Sequence, residues 1–288
     1  MDTEFISISK LQPSQLYLSD EKLKKVEKYL NSIDIDQVEP LPVKQIGDIT
    51  FLTDGHTRAY LLSKRIKKIK VYQDQDDLDW FSYMVCISWA KKYDIEKIED
   101  LGTRIIDHNN YKELWLDRCA SMHEKMAENI FNFVDFIEIN EPEQKSDICL
   151  KIISNLENWF GNEDTNQEYA KGVRDNSFIS ANIGNIPVGF ISIKDHNRFT
   201  GEIYVMGILE EFHNKGIGKK LIELASENLV KEEKKFLTVK TLSSSNPDKY
   251  YKKTRAFYRE MGFYPLEEMP ELWSEEEPCL LMVKVFKI

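Results

Sequence analysis

Long apolar runs are missing from this 288-residue chain. Nowhere do the roughly 18 consecutive apolar residues of a membrane helix occur, which excludes a spanning helix. Paired cysteine spacings are missing as well. Cys86, Cys119, Cys149 and Cys279 stand far apart, with no CxxC and no pairing with histidine. That excludes zinc-ribbon and dithiol chemistry, leaves no metal site to expect, and points to buried free thiols rather than disulfides. A basic excess is also lacking: 39 Lys and Arg face 49 Asp and Glu, for a net charge of −10. Both halves share the deficit, so neither is a nucleic-acid binder by bulk charge. The first residues, MDTEFISISK, contain neither a basic stretch nor an apolar core of the kind that targeting segments use, so a cytoplasmic location is expected. Internal repeats and low-complexity segments are absent.

What is present is the balance of a globular protein, 42% apolar and 31% charged, with enough chain for two domains of ordinary size. The richest stretch begins at Gly201. The apolar, strand-like GEIYVMGIL passes through EEFHNKGIG into an amphipathic helix in which Ile217, Leu221, Leu224, Ala225 and Leu229 share one face. A helix start leaves backbone N–H groups unpaired and carries partial positive charge, so anions settle there. Gly216 and Gly218 let the backbone approach a pyrophosphate, and Lys215, Lys219 and Lys220 add charge. Two familiar phosphate loops fail on the residues. His213 and Lys220 occupy positions where a Walker A loop needs Gly and Ser or Thr, and Leu221 spoils GxGxxG.

Further elements follow in order: a strand-like FLTVKTLSSS (236–245), a turn at Asn246-Pro247, a helical run from Asp248 to Met261, and Gly262-Phe263. Upstream lie a first strand FVDFIEIN (133–140), a helix SDICLKIISNLENWF that Ser146 or Asp147 could cap, and a short helix around 165–173. The strands SFISANI and PVGFISIK are joined by a Gly184-Asn185 hairpin turn, and a last strand CLLMVKVF closes the sheet.

The loop His213-Asn214-Lys215-Gly216-Ile217-Gly218 resembles motif A of the GNAT superfamily of acetyl-CoA dependent N-acetyltransferases, and RAFYREMGF (255–263) resembles their motif B. The resemblance covers residues 130–288 and implies an α/β fold of the α+β kind, a GNAT domain with a mixed central sheet. It implies acetyl-CoA as cofactor, with Met206, Gly207 and Ile208 pairing with the pantetheine and Asn214, Lys215, Gly216, Ile217, Gly218 and Lys219 holding the pyrophosphate. Asn246 and His213 are further cofactor candidates, the latter either packing at the loop or touching phosphate. Glu202 stands in the register of the family's general base and Tyr258 in that of the acid that protonates the departing thiolate. Gly207 would suit a bulge that offers an N–H to the oxyanion. The loop PLEEMPELWSEEEP (265–278) has six acidic residues and borders the acceptor side in that fold. It points to a polycationic amine, or is simply solvated, and Trp273 either lines the pocket or anchors the loop.

The amino-terminal part, residues 1–125, carries a second signal. A strand-like ISISKLQ, a helix DEKLKKVEKYLNS and a strand ITFLT lead to Asp54-Gly55-His56-Thr57-Arg58, which opens the helix AYLLSKRI before KIKVYQ. Asp54 is placed to cap that helix. The DGHTR turn resembles the phosphate-gripping turn of the ParB/sulfiredoxin-like fold, a smaller α+β domain here followed by a helical extension. Sulfiredoxins have their reactive cysteine where this chain has His56, and of the ParB Gly-Glu-Arg-Arg only Gly55 and Arg58 survive. Two readings stay open: nucleotide or phosphate binding at Gly55, His56 and Arg58, or a retained scaffold bonding its own backbone. Trp80, Phe81, Tyr83, Trp89 and Trp115 are expected in the core. KRIKKIK (64–70) reads as a solvated helix end rather than a DNA contact.

The resulting expectation is an N-acetyltransferase for a primary amine, a small molecule or a protein lysine or amino terminus, with no membrane or nucleic-acid partner. A homodimer is one option for its assembly. The alternative is a nucleotide-sensing or DNA-associated regulator that uses the GNAT domain as an acyl-CoA sensor.

Overall fold

A computed structural model describes residues 2–77 and 79–287. The chain divides into two units, one running to Val134 together with Ile183–Ile186, the other comprising Asp135–Asn182 and the residues from Pro187 onward.

In the first unit a five-stranded sheet has the order β1 (Thr3–Ser7), β6 (Lys68–Gln73), β4 (Leu41–Ile46), β5 (Ile49–Leu52) and β2 (Leu11–Gln12). A two-stranded pair joins β3 (Leu18–Ser19) to β7 (Ile105–Ile106). Helices α1 (Asp20–Leu30) and α2 (His56–Ser63) lie between strands, and α3 (Trp80–Lys92), α4 (His108–Tyr111) and α5 (Arg118–Glu128) follow. Strand β4 is absent from the sequence reading. Pro42, Lys44 and Gln45 break its apolar alternation, yet Leu41, Val43 and Ile46 are buried and even Lys44 is covered, its ammonium lying over Trp80. The run KRIKKIK is only partly a helix end, because α2 stops at Ser63 and Lys68–Lys70 belong to β6. Phe81 and Trp115 are core residues, Phe51 packs against Trp80 and Tyr83, and Trp89 packs edge-on against Trp115.

The second unit is one mixed sheet of seven strands in the order β13, β14, β12, β11, β10, β9, β8. Its elements run β8 (Asp135–Glu138), α6 (Pro142–Ile153), α7 (Glu163–Gly172), β9 (Ser177–Ile183), β10 (Ile186–Asn197), β11 (Thr200–Ile208), α8 (Ile217–Lys231), β12 (Phe236–Leu242), α9 (Lys249–Glu260), β13 (Tyr264–Met269) and β14 (Cys279–Val285). The β9–β10 hairpin turns at Gly184, whose φ of 60° suits a two-residue loop. On α8 the buried face is Ile217, Leu221, Ile222, Ala225 and Leu229, so Ile222 rather than Leu224 completes it. Helix α6 begins earlier than Ser146: Pro142 takes the first turn, where its missing N–H is harmless, and Glu141 precedes it. It also ends earlier, at Ile153, where Asn155 Nδ2 donates to the Lys151 carbonyl at 2.8 Å. Trp159 and Phe160 are thereby released from the helix.

Two irregularities in β11 open the sheet. Ser192 pairs with Val205 but Ile193 with Ile203, so Tyr204 is an extra residue, a bulge. Parallel pairing between β11 and β12 covers only Thr200–Ile203 against Phe236–Val239, while β12 stays paired with β14 to Leu242. A bulge bends its strand. Beyond Ile203 the two strands part, and among the described residues the β12-facing edge of Tyr204–Ile208 has no strand partner.

Candidate active site

The parting of β11 and β12 forms a cavity of about 590 Å³. Of the expected cofactor residues, Met206, Gly207, Ile208, His213, Asn214, Gly216, Ile217, Gly218 and Lys219 line it, and Lys215 does not. Gly216 opens α8 with φ 81°, and Asn214 before it has φ 58°, so the loop turns back in the left-handed region and directs the helix start at the opening. Gly218 is closely packed. A Cβ there would lie 3.1 Å from Phe257 Cζ and 3.3 Å from both Met206 Cε and Ile208 Cδ1. His213 donates from Nε2 to the Ile208 carbonyl at 2.8 Å, which ties the loop to the strand end. Thr241 also faces the cavity, and among the described residues its buried hydroxyl has no hydrogen-bond partner.

Trp159 bridges the opening. Its Nε1 donates to Thr254 Oγ1 at 3.1 Å, Tyr251 donates to its carbonyl at 3.0 Å, and its ring meets Tyr250 and His213 edge-on at 5.1 and 5.7 Å. Helix α9 is set by Asp248, which accepts from Tyr250 and Tyr251 N–H at 2.8 Å, and by the buried Arg255, which donates to the Leu242 and Ser243 carbonyls. These anchors present Tyr258 to the cavity. Burial first, then the neighbouring Tyr251 and Tyr169, raise its pKa, so the phenol holds its proton.

Glu202 sits one step behind the wall. It is buried, its Oε1 accepts from Lys240 Nζ at 2.7 Å, and its Oε2 contacts His196 Nε2. Lys240 lines the cavity and His196 is partly exposed on the other side. The bulge falls at Tyr204, not at Gly207. Gly207 instead lets β11 close onto α6, since a Cβ there would meet Ile152 Cγ2 at 3.0 Å and Leu156 Cδ1 at 3.1 Å. Asn246 lies outside the cavity: its Nδ2 donates to the Glu276 carbonyl at 2.9 Å and its Oδ1 accepts from Asp248 N–H at 3.0 Å. Of the acidic loop only Trp273 reaches the lining.

Several lining residues escape a reading by motif, among them Lys240, Tyr169, Tyr204, Trp159 and Thr241, as does His196 behind Glu202. Strand register places Lys240, Thr241, Tyr204 and His196, whereas Trp159 comes from the segment after α6 and Tyr169 from α7. The one available signal is that GEIYVMGIL does not alternate, as a strand carrying a bulge need not.

In the first unit, Gly55 rather than Asp54 precedes α2, with φ 81°. His56 is buried and its Nε2 accepts from Ser14 N–H at 3.1 Å. Burial lowers its pKa to about 4, which keeps the ring neutral. Arg58 pairs with Glu39 at 3.5 Å. The turn thus bonds its own surroundings.

Residues 174–265 match the acetyltransferase (GNAT) domain family, and this stretch is a GNAT acetyltransferase domain. No curated protein matches the chain. Among solved structures it resembles Ard1 from Thermoplasma volcanium, at 15% identity over 54% of this chain and 99% of that one, with a TM-score of 0.45. It also resembles a GNAT family acetyltransferase from Elizabethkingia anophelis with acetyl-CoA bound, at 17% identity over 54% and 99%, TM-score 0.41. A third is the aminoglycoside 6'-N-acetyltransferase from Enterococcus faecium, at 15% identity over 53% and 96%, TM-score 0.42. Among the described residues no helix is long and apolar enough to cross a membrane, and no cluster of His, Cys, Asp and Glu could hold a metal ion.

Proposed function

We propose that this chain is an acetyl-CoA dependent N-acetyltransferase that acetylates a primary amine. The observation that carries the reading is the parting of β11 from β12 after Ile203, with a glycine-opened helix start at its mouth. An unpaired strand edge suits the two amides of a pantetheine arm, and the orphaned Thr241 hydroxyl is a further polar group awaiting a ligand. Met206, Gly207 and Ile208 would hold that arm together with Thr241, and backbone N–H groups of Asn214–Lys219 would hold the pyrophosphate. Acetyl-CoA supplies a thioester carbonyl for the amine to attack.

An amine is protonated near neutrality and must lose that proton before it attacks. Glu202 serves as the base at one remove, through Lys240 on the cavity side, while His196 connects it to the exterior. Backbone N–H groups of the parted strand polarise the carbonyl oxygen. Tyr258, kept protonated by burial, delivers a proton to the sulfur that leaves. Asn246 acts in this scheme on the loop it ties rather than on the cofactor.

Thiol release from acetyl-CoA with a panel of primary amines tests the reading. Turnover is expected, and Tyr258→Phe and Glu202→Gln should each lower kcat by roughly a hundredfold while CoA still binds. Tight binding with no turnover on any amine would replace the enzyme with an acyl-CoA sensor.

A further inference from the structure

On the α6 and α7 side of the parted strands the cavity has an aromatic wall. Phe160 meets Tyr169 edge-on at 5.7 Å, and Tyr169 meets Tyr204 in the same way at 5.7 Å. All three line the cavity. The bulge puts Tyr204 here, and Gly172 at the end of α7 makes room for it, since a Cβ at 172 would lie 2.1 Å from the Tyr204 hydroxyl oxygen. The wall is matched to this glycine, since a side chain at 172 would push the phenol aside.

Charge within the lining on this side is scarce, and behind it Tyr204 has one neighbour of each sign, Glu168 of α7 and Lys194. Lys240 is the one charged group on this side of the described lining, and it is held by Glu202, whose two oxygens are both engaged. The remaining charged lining residues sit elsewhere: Glu210 and Lys219 belong to the glycine loop and its helix, Lys253 and Glu260 to α9. The acidic loop contributes a ring, Trp273, and no lining carboxylate; Glu268 accepts instead from Ser245. Among the described lining residues on this side a second cation on the acceptor would meet the Lys240 ammonium and no unpaired carboxylate.

Resting on the acetyltransferase reading, we infer that Phe160, Tyr169 and Tyr204 form the acceptor subsite and select a primary amine with a single charge and an apolar, preferably aromatic, body. Aromatic pairs favour edge-on contact, and the existing ladder of rings offers faces and edges to one more. The body binds by burial, and the single amine is delivered toward the Glu202–Lys240 pair, whose opposite charges offset each other. Amide formation then joins the amine nitrogen to the acetyl carbon, breaks the carbon–sulfur bond, and passes the amine's proton to the protein as Tyr258 gives one to sulfur.

The test uses the full chain, acetyl-CoA and a thiol readout, with 2-phenylethylamine and tryptamine set against spermidine and a lysine peptide. The arylalkylamines should show kcat/KM higher by at least about tenfold. Phe160→Ala and Tyr204→Ala should each raise their KM on the order of tenfold, with kcat and the CoA dissociation constant within about twofold. Retained CoA binding shows that a variant is folded, and the two variants back each other up. A preference for spermidine or the lysine peptide, or a KM indifferent to both substitutions, overturns the inference and leaves the acetyltransferase standing. Absence of turnover with every amine overturns both.

Discussion

Two helices in this chain start alike. Gly55 before α2 and Gly216 before α8 each have φ 81°, and each stands between a strand and a helix whose first N–H groups have no intrahelical partner. Around Gly55 the space is filled: a Cβ would lie 2.6 Å from Leu41 Cδ2, His56 is buried against Ser14, and Arg58 is paired with Glu39. Around Gly216 it is open, because β12 has diverged from β11 and a cavity begins there. The backbone conformation is common to both, and only the neighbours decide whether a ligand can use it.

The comparison can be broken at the open turn first. Gly216→Val forces a branched side chain into the left-handed region and into the cavity mouth. CoA affinity should fall on the order of a hundredfold, equivalent to roughly 3 kcal/mol, as calorimetry would register. The filled turn should respond through stability instead. His56 accepts no proton in the folded chain until about pH 4, against an ordinary 6.5 when unfolded, so the unfolded state binds more protons across that interval. Stability contributed by the neutral ring is complete above 6.5 and is lost as pH falls, by up to about 3 kcal/mol at pH 4. Denaturant midpoints measured from pH 7 to pH 4 should show that decline, and His56→Gln should flatten it. Gly55→Ala, with φ 81° and Leu41 in the way, should lower stability by about 2 kcal/mol and leave CoA affinity unchanged. A loss of CoA affinity in that last variant would show that the two turns are not independent.

The same pair explains what could be read from residues alone. Gly216, Gly218 and the strand before them announce an anion site because spacing and residue type are local properties. The Gly184 hairpin and the amphipathic α8 are legible for the same reason. His196 and Lys240 beside Glu202 are not, because strand register brings them there: six residues away in sequence for one and 38 for the other, across different strands. Strand β4 is hidden by Pro42 and by Lys44, whose stem is buried while its ammonium finds the Asp76 carbonyl and the Trp80 ring. Phe160 reads as the continuation of a helix until Asn155 bonds the carbonyl of Lys151 and ends it. DGHTR is the opposite case: its residues alone leave a grip and a self-bonding scaffold both open, and only the neighbours show His56 buried against Ser14 and Arg58 paired with Glu39.

Tyr204 has one more effect. Gly201 and Gly207 are six residues apart on one strand and an even spacing should put them on one face, yet Gly201 looks toward Leu229 of α8 and Gly207 toward Ile152 of α6. The inserted residue reverses the parity of everything after it, which is why Met206 and Ile208 look onto Gly218 at the start of α8. The cleft is therefore specified by a count as much as by side chains. Exchanging one apolar residue for another along 203–208 preserves the count, whereas removing a single residue would turn the downstream half of β11 over and interchange the two walls of the cleft.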